Sequence, residues 1–266
     1  MNKYRRPHRY KKKKSIFRSK AFWFSFFIIL ISSAIFYFIF LSPFFQIKEI
    51  RISGNEKVSE GALKEIINEK IEKKIWFFSS KSIFLADIGQ ISRDLSRTFP
   101  LIGEIKVKRE FSNALTVNIN ERKPVALLIQ GEKVFYLDKE GIIFEPVSLE
   151  EGLVKILDKQ KINNLGEEAI SKEKLSQILD IDSKLRLDLK VPVQQFEMEA
   201  DDKLNLVMDE GWQAFFDLQK DVNWQIIKLG AVLEEKIPPE KRKDLEYIEL
   251  RFGNFAPYKY KNQSIL

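Results

Sequence analysis

Between Lys20 and Lys48 the chain runs for 27 residues without one charged side chain. The heart of this run, Ala21 to Leu41, is dominated by Phe, Ile and Leu. A helix of that length rises about 31 Å, close to the thickness of a bilayer hydrocarbon core. Residues 21–42 therefore read as a transmembrane helix. A secretory signal is the competitor, but its apolar region spans only about 7–15 residues and ends at a small-residue cleavage site. Here the run is longer, and Phe38-Ile39-Phe40-Leu41-Ser42-Pro43-Phe44-Phe45 contains no Ala-x-Ala pattern. An uncleaved anchor is expected, with Trp23 and Tyr37 toward the interfaces.

Charge follows the same division. The chain holds 45 Lys and Arg against 38 Asp and Glu, a net of +7. Ten of the basic residues and no acidic one lie in residues 1–20, which leaves 35 against 38, or −3, for the rest. The basic tail thus sits directly before the membrane run. Positive charge marks the cytoplasmic side, so the N-terminus is expected inside and residues 48–266 outside. The tail then fixes topology and touches anionic headgroups, a simpler task than binding nucleic acid. The chain has no Cys, and its one histidine is His8 in the tail. Thiol chemistry, disulfides, cysteine zinc sites and a Ser-His-Asp triad are thereby excluded from the exported part, and no cofactor is expected.

Periodicity divides the exported part. Ile47, Ile50 and Ile52 give a strand closed by Gly54-Asn55. Ser59 is an N-cap candidate for a helix with Leu63, Ile66, Ile67 and Ile71 on one face. A second helix opens at Asp87 and carries Ile88, Ile91, Leu95 and Phe99 to Pro100. Two alternating runs, from Ile105 and from Leu115, flank Phe111-Ser112-Asn113-Ala114. Strands are then expected at Val125–Gln130, Lys133–Leu137, Ile142–Glu145, Val193–Glu199, Leu204–Met208 and Trp212–Phe216. Helices fall at Ser171–Leu187 and Val222–Glu234. The last strand is Tyr247–Phe252, after which Asn254 to Leu266 trails off and Pro257 would interrupt a continuing strand.

The order strand–helix–helix–strand–strand behind a basic tail and a membrane helix resembles the bacterial FtsQ/DivIB family. Ile50-Arg51-Ile52-Ser53-Gly54-Asn55 looks like the opening of its POTRA domain, and Phe99-Pro100-Leu101-Ile102 like the end of its second helix. Glu121-Arg122-Lys123-Pro124-Val125-Ala126 is similar to the family's Glu-Arg-x-Pro-Val-Ala segment. Tyr136 to Phe144, through Asp138 and Gly141, resembles the hairpin that follows. Leu245 to Phe252 resembles the family's Ile-Asp-Leu-Arg-Tyr strand, with Glu249 for Asp and Phe252 for Tyr. The resemblance implies an α+β architecture with five parts. These are a tail (1–20), a membrane helix (21–42), a POTRA domain (46–122), a mostly antiparallel β domain with two helices (123–254), and a C-terminal tail (255–266).

The resemblance also implies a non-enzymatic, single-pass scaffold of the division septum. Its partners would be FtsB/DivIC-like and FtsL-like proteins, with other division proteins on the POTRA domain, and its effect would fall on septal peptidoglycan synthesis. Carried over by position, the partner-binding residues are Tyr247, Glu249, Arg251, Phe252 and Asn254, with Tyr258 and Tyr260 as aromatic anchors. A terminal strand with unpaired backbone groups invites strand addition. Two alternatives come from other classes. A membrane-anchored peptidoglycan hydrolase would need a carboxylate-lined cleft, yet Glu150-Glu151 and Glu167-Glu168 are adjacent pairs that point apart, and Asp201-Asp202 reads as a turn. A POTRA-bearing translocation component would need a membrane barrel. Ser79, Ser80 and Lys81 give no reason for an activated lysine. Asn262-Gln263-Ser264 fits the glycosylation pattern only formally. The apolar segments Ile75-Trp76-Phe77-Phe78 and Ile83-Phe84-Leu85 are expected to pack across the sheet, the alternative being contact with the membrane surface.

Overall fold

A computed structural model describes residues 19–75, 77–147, 152–159, 162–199 and 202–261. The basic tail up to Arg18, Trp76, Glu150-Glu151, Asp201 and Asn262-Gln263-Ser264 lie outside the described residues. The chain forms two compact units. One takes the residues up to Ser53 with 59–94 and 106–118; the other takes 54–58, 95–105 and 119 onward.

The apolar run is helix α1 (Lys20–Phe40), none of whose residues is buried in the protein. Strand β1 (Glu49–Ser53) follows, then α2 (Glu60–Ile71), whose apolar stripe buries Leu63, Ile67 and Ile71. Helix α3 (Ile88–Thr98) buries Ile91 and Leu95. Strands β4 (Ile102–Glu110) and β5 (Ala114–Glu121) complete a three-stranded sheet of order β1–β5–β4. β1 runs parallel to β5, placing Ile50 beside Leu115 and Ile52 beside Val117. A parallel neighbour requires a crossover, and the two helices lie in that connection. One element has no counterpart in the periodicity. Strands β2 (Lys73–Ile75) and β3 (Phe78–Ser80) pair as a hairpin where a loop was expected. Ile83 is buried, but Phe77 is 94% exposed, and Phe78 is exposed too, so these two do not pack across the sheet. Both belong to a hairpin too short to have a buried face of its own.

The two helix starts are held differently. Ser59 holds the N-cap position of α2 without a side-chain bond to the helix. Asp87 does accept from the Gln90 N–H (2.9 Å), and this bond, with help from Arg93, holds its carboxyl below the ordinary range. A depressed folded pKa gives a contribution that is present above the unfolded value and lost as pH falls through the folded one. Asp87→Asn keeps an acceptor but cannot titrate. The variant should therefore lose less stability than the parent between neutral pH and about pH 3, as read from denaturation midpoints across that range.

The second unit is built on a sheet of order β14–β13–β12–β11–β10–β9–β6–β7–β8. Its strands are β6 (Ala126–Gln130), β7 (Lys133–Leu137), β8 (Ile143–Val147), β9 (Val154–Asp158), β10 (Val193–Met198), β11 (Lys203–Met208), β12 (Gln213–Asp217), β13 (Leu245–Glu249) and β14 (Tyr258–Tyr260). Pairings β6–β9, β9–β10 and β12–β13 are parallel, and the others are antiparallel. Two crossovers supply the helices. α4 (Lys172–Leu187) connects β9 to β10, and α5 (Val222–Glu235) connects β12 to β13. Ser171 caps α4 at the Lys174 N–H and Asp221 caps α5 at the Trp224 N–H. Leu175, Ile178 and Ile181 of α4 and Leu229 and Leu233 of α5 share one core with Phe196, Trp212 and Phe216 of the sheet side. The mostly antiparallel β domain with two helices is as expected, with β9 and β14 as additions.

Candidate functional site

The expected terminal strand is not the edge of its sheet. β13 ends at Glu249, earlier than the expected Phe252, and lies between β12 and β14. The chain does not trail off after Asn254. It turns through Arg251–Pro257 and returns as β14, antiparallel to β13. Pro257 starts this return without interrupting it, because its carbonyl is the group used: the Glu249 N–H donates to it at 2.8 Å. At the other end the Lys261 N–H donates to the Asp244 carbonyl at 2.8 Å. Backbone direction alternates along a strand, so Pro257, Lys259 and Lys261 face β13. The N–H and C=O groups of Tyr258 and Tyr260 then point outward, and among the described residues no strand takes them.

The seven expected residues divide around this edge. Tyr247 packs against Phe215 (ring centroids 5.6 Å apart), and Glu249 is buried. Glu249 accepts from the Arg251 guanidinium through Nε (2.7 Å) and Nη2, and also from the Arg251 N–H (3.0 Å). That bond and the charge behind it push the Arg251 pKa up further. The guanidinium lies 5.1 Å from the Phe215 ring centre. Tyr247, Glu249 and Arg251 thus stiffen β13 from within. Phe252 is 59% exposed, and Asn254 is exposed beside it. Tyr260 packs on the core, and burial raises its pKa, while its ring meets Tyr258 edge-on at 5.7 Å. Tyr258 is exposed. Lys259 pairs with Glu246 at 2.7 Å, a bond that raises its pKa.

Two residues that the periodicity left out complete the site. Phe255 is 78% exposed on the same turn as Phe252. Lys228 of α5 is buried, and its Nζ donates to the carbonyls of Leu250 (2.6 Å), Gly253 (2.9 Å), Phe255 (3.3 Å) and Phe252 (3.4 Å). Burial pushes its pKa down, as does Lys220, while Glu249 opposes. Lys220 adds a bond to the Arg251 carbonyl at 2.7 Å. The signal was present in the sequence: Lys228 stands directly before Leu229 on the apolar stripe of α5, where a charge has no reason to be unless it is held.

The far edge of the sheet is closed to the same use. β8 carries Pro146, which has no N–H, and its Glu145 pairs with Lys57 at 2.9 Å. Among the described carboxylates of the adjacent acidic pairs, Glu167 and Asp202 are engaged in bonds of the fold. Glu167 accepts the Asn164 N–H and side chain, and these bonds lower its pKa. Asp202 is held by Lys174 and by Gln219 (3.1 Å), which lower its pKa. Among the described residues no group of three or more His, Asp or Glu could hold a metal.

The remaining motif residues support the fold. The Glu121 carboxylate accepts the N–H groups of Glu56, Lys57 and Val58, in the turn before α2, at 2.9–3.0 Å. Arg122 donates through Nε to the Pro100 carbonyl (3.0 Å) and through Nη1 to Asp138. Asp138 also accepts from the N–H groups of Glu140 and Ile142, both at 3.0 Å. Gly54 and Gly141 have φ of +82° and +75°, and a Cβ there would meet the carbonyls of Ile119 at 2.0 Å and Ile170 at 1.8 Å. Only glycine fits either place.

A helix long and apolar enough to cross a membrane precedes this strand–helix–helix–strand–strand unit, an arrangement that fits a membrane-anchored POTRA-domain protein. Residues 45–122 match the family model described as "POTRA domain, FtsQ-type". That match and relatives named as FtsQ and DivIB make the chain similar to the FtsQ/DivIB family. It is 25% identical over 103 residues to cell division protein DivIB of Clostridium acetobutylicum, covering 39% of this chain and 38% of the relative. It is 20% identical over 177 residues to cell division protein FtsQ of Streptomyces bingchenggensis, covering 64% of each. With FtsQ of Syntrophotalea carbinolica it shares 26% over 149 residues, 56% of this chain and 48% of the relative. The chain therefore spans between a third and two thirds of the length of these relatives.

Proposed function

We propose that the chain is a single-pass scaffold of the bacterial division machinery that binds its partners by strand addition at β14. The relatives are named as cell division proteins, which supports the cellular role. The open edge carries the molecular reading: the outward backbone groups of Tyr258 and Tyr260 lie beside exposed Phe252, Phe255 and Tyr258. Backbone bonds give such a complex its affinity, and aromatic side chains at the rim give it selectivity. In this reading the N-terminus is cytoplasmic, the two units are exported at the septum, and the added strand comes from an FtsB/DivIC-like protein held with an FtsL-like one. The POTRA domain is left for other division proteins, and the output is control of septal peptidoglycan synthesis through contacts, not through catalysis.

The test compares the full chain with a version ending at Phe252, both in nanodiscs, for binding the same organism's FtsB/DivIC-like protein. Binding by the full chain and loss of at least about a hundredfold in the truncation is expected, since both the strand and its anchors are removed. Equal binding by the two moves the site away from β14. No binding by either rejects the partner class.

A further inference from the structure

The strongest feature outside that edge lies where α1 leaves the membrane. The last carbonyls of a helix have no partner within it, and in or near hydrocarbon water does not replace one. Here the protein itself supplies the partners. The Phe40 carbonyl accepts from Ser80 Oγ and from Gln46 Nε2 (2.9 Å), and the Ile39 carbonyl accepts from Ser82 Oγ (2.9 Å). Ser80 and Ser82 are buried. The helix end is thus bonded to the end of β3, to Ser82 just after it and to Gln46, instead of entering a free linker.

An aromatic series continues from that joint. Phe38, in the last turn of α1, meets Phe45 edge-on at 5.4 Å; Phe45 meets Phe84 at 5.1 Å; Phe84 meets Phe111 at 5.6 Å. Phe44 closes the group, 4.9 Å from Phe45 and stacked on Phe38. These rings join one another but are not covered. Phe84 is 44% exposed, Phe111 67%, and Phe44 is exposed as well. α1 rises about 31 Å, so when it spans a hydrocarbon core of about 30 Å its last turn lies at the interface. The groups bonded and stacked onto that turn lie at the same level.

We propose that Phe44, Phe84 and Phe111 rest in the interfacial layer of the leaflet that α1 exits, so that the membrane-proximal unit is seated on lipid. The occupant is phospholipid, because the apolar surface is continuous with a helix whose own surface is in lipid. Interfacial apolar groups of this kind lie about 5–10 Å inside the headgroup boundary. The seat is independent of the partner edge and does not require the division role.

The chain has no Cys, so a single introduced one carries the only label. Nitroxides are placed by Phe84→Cys and Phe111→Cys in the full chain, one chain per phosphatidylethanolamine–phosphatidylglycerol nanodisc. Ile29→Cys in α1 marks the hydrocarbon, and Glu132→Cys on the β6–β7 turn marks water. Collisions with oxygen should exceed those with a water-soluble nickel chelate at 84 and 111, giving depths of about 5–10 Å inside the boundary. Nickel accessibility equal to that of Glu132→Cys overturns the proposal. So does shielding from both reagents, which means protein covers the rings, and so does shielding that requires two chains per disc. Phe111→Trp, which keeps a ring at this exposed position, serves as a second variant: its added fluorescence should be quenched by lipids brominated near the headgroup, and absence of quenching counts against the seat.

Discussion

Asp138→Ala should lower the stability of the second unit by about 3–5 kcal/mol, the loss expected when one partner of a buried ion pair is removed. The figure follows from what would be left behind. Arg122 would keep its bond to the Pro100 carbonyl but lose its counter-charge in a site where both side chains are largely out of water. The N–H groups of Glu140 and Ile142 would lose their acceptor as well. At roughly 2–4 °C per kcal/mol for a unit of this size, the melting temperature should fall by about 10 °C. Asp138→Asn should cost less, since an amide oxygen still serves the two N–H groups. Combining Asp138→Ala with Arg122→Leu should cost less than the sum of the single changes, because the second removes the stranded charge. A fully additive cycle, read by calorimetry, would mean that the two residues are not coupled.

That pair also explains how the sequence could be read across this region at all. Arg122 and Asp138 belong to two motifs 16 residues apart that looked separate, and they are two halves of one contact. Gly54 and Gly141 were visible as turn signals, and the neighbouring carbonyls supply the reason. Helices with a one-sided apolar stripe were legible because period 3.6 over ten or more residues is hard to mimic. β9 was not. Its five residues, Val154 to Asp158, include Lys155 and Asp158, too few apolar positions to stand out, and its place comes from parallel neighbours β6 and β10 far away in the chain. β14 was missed for a related reason. Three residues after a proline carry no period, and their pairing depends on a turn held by a lysine from another helix. The candidate site was therefore legible as a region, from Tyr247 to Tyr260, but not as an edge.

Lys228→Met should uncouple that edge while the rest of the sheet stays folded. The methionine stem can follow the same apolar path along α5, so the core loses little volume. What goes is the donor shared by four carbonyls of the turn that delivers β14. Bonds from a charged donor are worth about 1.5–3 kcal/mol each against an unmade alternative, but part of that gain is offset by returning a buried ammonium to water. A net local loss near 1.4 kcal/mol corresponds to about a tenfold shift between docked and detached strand. Hydrogen exchange should then accelerate by about that factor at the Lys261 amide and in the turn from Arg251 to Phe255, with β10 to β12 unchanged. If a partner adds only to the docked strand, its apparent affinity falls in proportion to the docked fraction, again about tenfold at the limit. Lys220→Met is the comparison, because that side chain is exposed and makes one bond to the same turn, so its effect should be much smaller. Unchanged exchange in Lys228→Met would show that β14 is held by its pairing with β13 and by Tyr260 without help from the lysine. Faster exchange with unchanged partner binding would separate the strand from the binding site.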